Sequence, residues 1–220
     1  MRPLGSAQLL DLGERGRSLG ASSRSALVIA AACPELSQDE ILDLPLGQAG
    51  QILLAVRRAT IAGPISTSQP CQACGEPIAL EFDPSEFEAQ PRSVSPGPDA
   101  IALRLGDLIA VEGEADPSQI KRRLVERISP AMLDRLDDFS ALLEAADPDA
   151  DICCDTVCPA CNESQELLFD PGVFLWEEIS ARVPRILREV AELARAYHWS
   201  ERDILAMPGE RRAFYLGMVQ

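Results

Sequence analysis

The chain has 220 residues, 46% of them hydrophobic and 25% charged, with a formal net charge of −15. That composition excludes wholesale disorder. The excess of 35 acids over 20 bases argues against a broad polyanion-binding surface, which needs Lys and Arg to neutralise phosphates. A single histidine, His198, removes most three-histidine metal enzymes and disfavours a His-based proton relay.

Residues 6–33 read as one or two short helices. The apolar run Ala26 to Cys33 ends as a lipoprotein cleavage site does. It is short, however, and begins far from the chain start, so it reads as a buried helix with Ser25 near its start and Cys33 as a small core residue. No apolar run approaches the ~20 residues of a membrane span. The expectation is a cytoplasmic protein with reduced thiols, no membrane partner, and cysteine pairs that serve as metal ligands before disulfides.

Leu44 to Ile61 predicts a turn and an amphipathic helix, with Ile52, Leu53, Val56 and Ala59 on its buried stripe. Arg57 and Arg58 form a solvated helix end suited to the macrodipole. Gly63-Pro64 ends this helix and leads into the first of two C-x-x-C pairs, Cys71-Gln-Ala-Cys74. Pro91 to Asp99 is a loop. Ala100 to Val111 alternates loosely and predicts a strand pair around Gly106-Asp107. Asp116-Pro117-Ser118 opens a helix, and a second helix starts near Ala131 and ends at Asp147-Pro148-Asp149. The acids from Asp147 to Asp155 lack the order of a calcium-binding EF-hand loop and read as a solvated turn.

The second pair, Cys158-Pro-Ala-Cys161, repeats the first at an offset of 87 residues. Ile65 meets Ile152, Gly75 meets Asn162, Leu80 meets Leu167, Phe82-Asp83-Pro84 meets Phe169-Asp170-Pro171, and Phe87 meets Phe174. Each copy reads strand, knuckle, strand, turn. The residue after the second cysteine of a knuckle needs positive φ, which Gly75 accepts freely and Asn162 tolerates. Asp-Pro stops each strand, and Asp170 caps a following helix with Pro171 near its first position.

Two half-sites of two thiolates give the closed tetrahedral set of a structural zinc site. One Zn²⁺ held by Cys71, Cys74, Cys158 and Cys161 is therefore expected, with the hairpins forming a split zinc ribbon. Cys153 and Cys154, on the strand before the second pair, stand where the first copy has Ser66-Thr67 and are not expected as ligands, with one of them as a spare ligand the alternative. A redox role fits less well, because strands rather than helix starts flank both pairs. Nucleic acid is not expected on the ribbon: Ala59 to Pro91 holds five acids, Leu136 to Ala181 holds twelve, and neither stretch has a Lys or Arg.

From Phe174 to Tyr197 the apolar residues keep helical spacing, and Pro184 is expected to kink or split that helix. His198 reads as capping or packing. Ser200 caps a new helix, and Pro208 opens a last one running to about Met218 and carrying Phe214 and Tyr215. No phosphate-binding loop, nucleophile elbow or H-E-x-x-H helix occurs. The expected fold class is α+β, mainly helical, with a split four-cysteine zinc ribbon built from two C-x-x-C β-hairpins. Its segments are 1–63 (helical), 64–91 (first hairpin), 92–149 (inserted strand and helix segment), 150–171 (second hairpin) and 172–220 (C-terminal helices).

Several stretches together resemble the T4-type phage baseplate hub assembly chaperones of contractile injection systems and phage tail-like particles. They are Leu44-Pro-Leu-Gly47 with LLAVRRATIAG after it, the paired C-x-x-C hairpins, Phe174-Leu-Trp-Glu177, and the tail LREVAELARAYHWSERDILAMPGERRAFYL from Leu187 to Leu216. The resemblance spans about Ile41 to the end; residues 1–40 match only in helical character, and Pro184 departs from an uninterrupted family helix. It implies a non-enzymatic assembly factor or minor baseplate component whose partners are hub or spike proteins. A zinc-dependent or thiol-redox enzyme using the cysteines is the alternative.

Overall fold

The computed structural model describes residues 1–83 and 101–219, in which helices dominate and two antiparallel hairpins supply the strands. The predicted loop at Pro91–Asp99 and the strand-stopping Pro84 lie outside the described residues. No described helix is long and apolar enough to cross a membrane.

The helical body centres on α8 (Pro171–Tyr197), which packs against α1 (Ser6–Arg15), α2 (Ala21–Ala32) and α4 (Leu46–Thr60). Its buried residues Leu175, Trp176, Ile179, Ile186, Val190 and Leu193 recur at helical spacing and meet Leu12, Ile29, Leu53 and Val56 in one core. Asp170 caps α8 as expected: its Oδ1 accepts from the N–H groups of Gly172 at 2.8 Å and Val173 at 3.1 Å. The helix continues through Pro184 without the split that was one of the two outcomes expected. Pro184 sits on the exposed side, and the buried stripe stays in phase before and after it, so packing on three helices outweighs one lost backbone bond. His198 ends α8 in the left-handed region, φ 58°, with its N–H on the Ala194 carbonyl.

Two further short helices, α3 (Gln38–Leu42) and α5 (Leu105–Val111), pack beside α2. The second replaces the strand pair expected around Gly106-Asp107. Asp107 caps it by accepting from the Arg104 N–H at 3.1 Å. Gly106 serves close approach, since a Cβ there would lie 3.0 Å from the Leu42 carbonyl oxygen. The rest of the inserted segment is α6 (Pro117–Ile128), a 3-10 turn at Pro130–Met132, and α7 (Leu136–Ala146). The helix expected from Ala131 thus starts later, because the chain turns before Leu136.

Two carboxylates of this segment cap helices far back in the chain. Glu112 Oε1 accepts from the N–H groups of Ser22 at 2.6 Å and Ser23 at 3.1 Å, at the start of α2. Asp147 Oδ2 accepts from the Gly47 N–H at 2.9 Å, at the start of α4. Helix starts leave N–H groups without partners, and a carboxylate also suits the positive end of the dipole. Helix α2 itself starts at Ala21, so Ser25 lies one turn inside it.

Arg57 corrects the expected solvated helix end. It is 3% exposed, its guanidinium lies 2.8 Å from Glu178 Oε1, and it donates to the carbonyls of Gly63 and Pro64. A buried cation needs such partners. Leu54, rather than the exposed Ala59, completes the buried stripe of α4. At the C-terminus α9 (Glu201–Ala206) starts at Ser200, whose Oγ accepts from the Asp203 N–H at 3.2 Å. The final helix α10 (Gly209–Gly217) brings Tyr215 against Tyr197 and Trp199.

Candidate metal centre

Each C-x-x-C pair sits at the tip of a hairpin. Strands β1 (Ile65–Pro70) and β2 (Pro77–Phe82) pair from Ile65↔Phe82 to Pro70↔Pro77. Strands β3 (Ile152–Val157) and β4 (Ser164–Phe169) pair from Ile152↔Phe169 to Val157↔Ser164. The two registers coincide position for position at the sequence offset of 87.

The knuckle turns coincide as well. The Cys71 N–H donates to the Glu76 carbonyl at 2.8 Å, and the Cys158 N–H to the Glu163 carbonyl at 2.9 Å. The N–H of Gly75 reaches the Cys71 carbonyl at 2.9 Å, and that of Asn162 reaches the Cys158 carbonyl at 2.9 Å. Gly75 takes φ 77° and Asn162 φ 59°, the left-handed conformation that the expected knuckle requires.

The hairpins meet face to face. Phe82 and Phe169, equivalent residues of the two copies, pack edge to face at 5.9 Å, over Leu54 and Ile65. This contact brings the tips together. Cys71 Sγ lies 3.7 Å from Cys161 Sγ, Cys74 Sγ lies 3.7 Å from Cys158 Sγ, and all four sulfurs fall within 4.8 Å of one another. The first cysteine of each knuckle is buried and the second exposed, so the cluster carries an approximate twofold relation.

These separations suit a shared ion. A tetrahedron with metal–sulfur bonds of about 2.3 Å has sulfur–sulfur edges of about 3.8 Å, whereas a disulfide brings sulfurs to about 2.05 Å. The four cysteines therefore form a possible metal site, and among the described residues no other group of His, Cys, Asp or Glu does.

Without a cation, four adjacent thiols cannot all ionise. The Cys71 thiol is drawn down to about 7, chiefly because the Cys74 backbone N–H stabilises its thiolate. The Glu163 backbone N–H favours a thiolate at Cys161, but the Cys74 sulfur and burial outweigh it and push that thiol up to about 12. Cys74 is also raised: the Glu76 N–H and Cys161 favour its thiolate, and burial with Cys71 and Cys158 prevails. A divalent cation among the sulfurs would reverse this opposition.

Cys153 and Cys154 do not join the group. Their side chains alternate across the hairpin: Cys153 is exposed, and Cys154 packs with Phe169 and Phe174 at the base. Cys33 lies in the helical core.

One contact at the site was not foreseen from sequence. Gln165, nine-tenths buried on β4, accepts from the Gln72 N–H of the opposite knuckle at 2.9 Å. Its only signal in the sequence is that a polar residue stands where the other copy has Ile78. Compared with known proteins, the chain matches no family model, no curated protein and no solved structure.

Proposed function

We propose that Cys71, Cys74, Cys158 and Cys161 hold one structural Zn²⁺, which makes the two hairpins a split zinc ribbon and clamps distant parts of the chain together. The observation that carries this reading is the convergence of four sulfurs from two matching knuckles. An all-thiolate donor set favours zinc over the hard cations magnesium and calcium. Four protein ligands leave no open coordination position for a substrate, so the ion's contribution is folding energy, about 10–16 kcal/mol in zinc-finger peptides at neutral pH. A redox nucleophile must be an accessible thiolate, whereas the drawn-down Cys71 thiol is 3% exposed and the exposed Cys74 and Cys161 thiols are raised, which favours this reading over a thiol-redox enzyme.

On this reading the protein is a non-enzymatic scaffold that works by binding other proteins in a reducing cytoplasm. The resemblance of its hairpins and tail to baseplate hub assembly chaperones directs the proposal to a hub or spike protein of a contractile, phage tail-like particle. The exposed Phe214 and Met218 of the C-terminal segment supply apolar surface for such a partner.

Metal analysis of the purified protein tests the first part: about one zinc per chain is expected, and a folded, zinc-free protein with four reactive thiols overturns it. Co-purification with a co-expressed hub protein tests the second. Removal of residues 208–220 is expected to abolish the interaction, and retained binding would show that the C-terminal surface is the wrong one.

A further inference from the structure

A cavity of about 220 Å³ lies where the starts of α2, α4 and α8 approach the base of the second hairpin. Its floor is apolar, with Leu53, Leu105 and Phe169 among the lining residues. Asp149, Asp151 and Asp170 also line it, and no Lys or Arg does. The volume is below the ~300–1,000 Å³ of pockets for drug-sized molecules and suits one large side chain.

Three helix starts at one place would ordinarily attract an anion. Here they are already served: Glu112 caps α2, Asp147 caps α4 and Asp170 caps α8. Asp149 and Asp151 come in addition to these caps, and neither has an ion-pair partner among the described residues. Their charge is felt nearby. Burial first, and then Asp149 and Asp151, hold the Asp147 carboxyl above the usual carboxylate range, against the opposing hydrogen bond from Gly47.

We propose that this cavity is a docking site for an arginine side chain of a partner protein, its aliphatic stem on the apolar floor and its guanidinium on Asp149 and Asp151. The charge pattern selects a cation with an apolar stem. Arginine is favoured over lysine because its planar guanidinium is weakly hydrated and binds carboxylates through two parallel hydrogen bonds. A protein is favoured over a free polyamine because the cavity holds one cationic head, and a polyamine would leave its remaining charged groups outside the carboxylate pair. The proposal goes beyond the metal reading and requires no ion at the cysteines.

The test is an amide-resolved NMR titration of the full-length, ¹⁵N-labelled protein with N-acetyl-arginine methylamide, its norleucine counterpart, and spermidine. The arginine compound is expected to shift the amides of Gly50, Ala150 and Gly172 saturably, and to weaken at high salt. Its affinity is expected to fall about tenfold in the Asp149→Asn, Asp151→Asn double variant, as for loss of a charge-assisted contact. If that variant fails to fold, the salt dependence and the norleucine comparison in the native protein decide. Equal binding of norleucine overturns the role of charge, tighter binding of spermidine overturns the protein source, and the absence of saturable shifts at these amides overturns the site.

Discussion

The backbone N–H of Gln72 donates to Oε1 of Gln165 at 2.9 Å, tying the first knuckle to the second hairpin through a pair of residues that the other copy does not repeat. At the offset of 87, Gln72 corresponds to Pro159 and Gln165 to Ile78. Proline has no N–H and isoleucine no acceptor, so donor and acceptor are missing together in the other copy. The Nε2 of Gln165 is buried without a hydrogen-bond partner among the described residues. Gln165→Leu is therefore expected to lose only about 1 kcal/mol, since the lost acceptor is offset by removal of the unpaired donor. Gln165→Glu keeps an acceptor but buries a charge beside the thiolates and should lose more. Urea unfolding of both variants checks the order, and a Glu variant as stable as the Leu variant contradicts it.

If one ion joins the knuckles, Cys158→Ser should lose the metal and lower the melting temperature sharply, because the clamp acts on both hairpins at once. Cys154→Ser should retain full metal content, since Cys154 packs at the hairpin base. Metal analysis beside thermal unfolding, with and without a chelator, separates the two.

Arg57 and Glu178 join α4 to α8 through a pair whose side chains are 3% and 28% exposed. Removing one partner leaves the other charge buried, at about 3–5 kcal/mol. Arg57→Met should be severe, as it also frees the carbonyls of Gly63 and Pro64 at the start of the first hairpin. Glu178→Gln should be milder, because the amide oxygen of Gln can still accept from Arg57, whose guanidinium also keeps the carbonyls of Gly63 and Pro64. Chemical denaturation of the single and double variants, read as a cycle, measures the coupling.

A Cβ at Gly16 would lie 2.2 Å from a ring carbon of Trp176. Gly16→Ala is expected to displace the indole, which also carries the Arg24 guanidinium 4.8 Å from its ring centre. A loss of about 1–3 kcal/mol from overpacking should accompany a change in tryptophan fluorescence. An unchanged spectrum with unchanged stability would show that the ring has room to move.

Asp147 gives a pH dependence of unusual sign. Burial, first, raises its folded-state value above the ordinary carboxylate range. The folded state then binds more protons than the unfolded state between those two values, so this group's contribution to stability falls as pH rises through that window. Asp147→Asn keeps an acceptor for the Gly47 N–H without the buried charge. The variant is expected to gain on the wild type as pH rises from about 4 to 7. Denaturation at both pH values measures the difference, and an advantage that shrinks with rising pH refutes the sign.

The hairpins and knuckles were legible because their determinants are local. Strand alternation, a residue tolerating positive φ after the second cysteine, and Asp-Pro at a strand end act within a few residues, and two copies make them hard to mistake. The caps at Asp116, Asp170 and Ser200 were legible for the same reason. The strand pair expected near Gly106 failed because a glycine signals a turn or a close approach equally well, and only the position of Leu42 distinguishes them. Arg57 reads as a solvated helix end until Glu178, 121 residues later, is placed beside it.

By itself the amino-acid sequence determined where the two hairpins lie and where the helices capped at Asp116, Asp170 and Ser200 begin, which cysteines stand on matching turns, and which strand residues alternate towards a core. These follow from backbone conformation and short-range hydrogen bonding. Tertiary structure alone decided that the two tips meet with sulfurs 3.7 Å apart across the hairpins, that Glu112 and Asp147 cap helices 90 and 100 residues away, and that Pro184 leaves α8 unbroken. Those outcomes depend on packing between segments remote in the chain, where the energy of many buried contacts overrides the preference of any one residue.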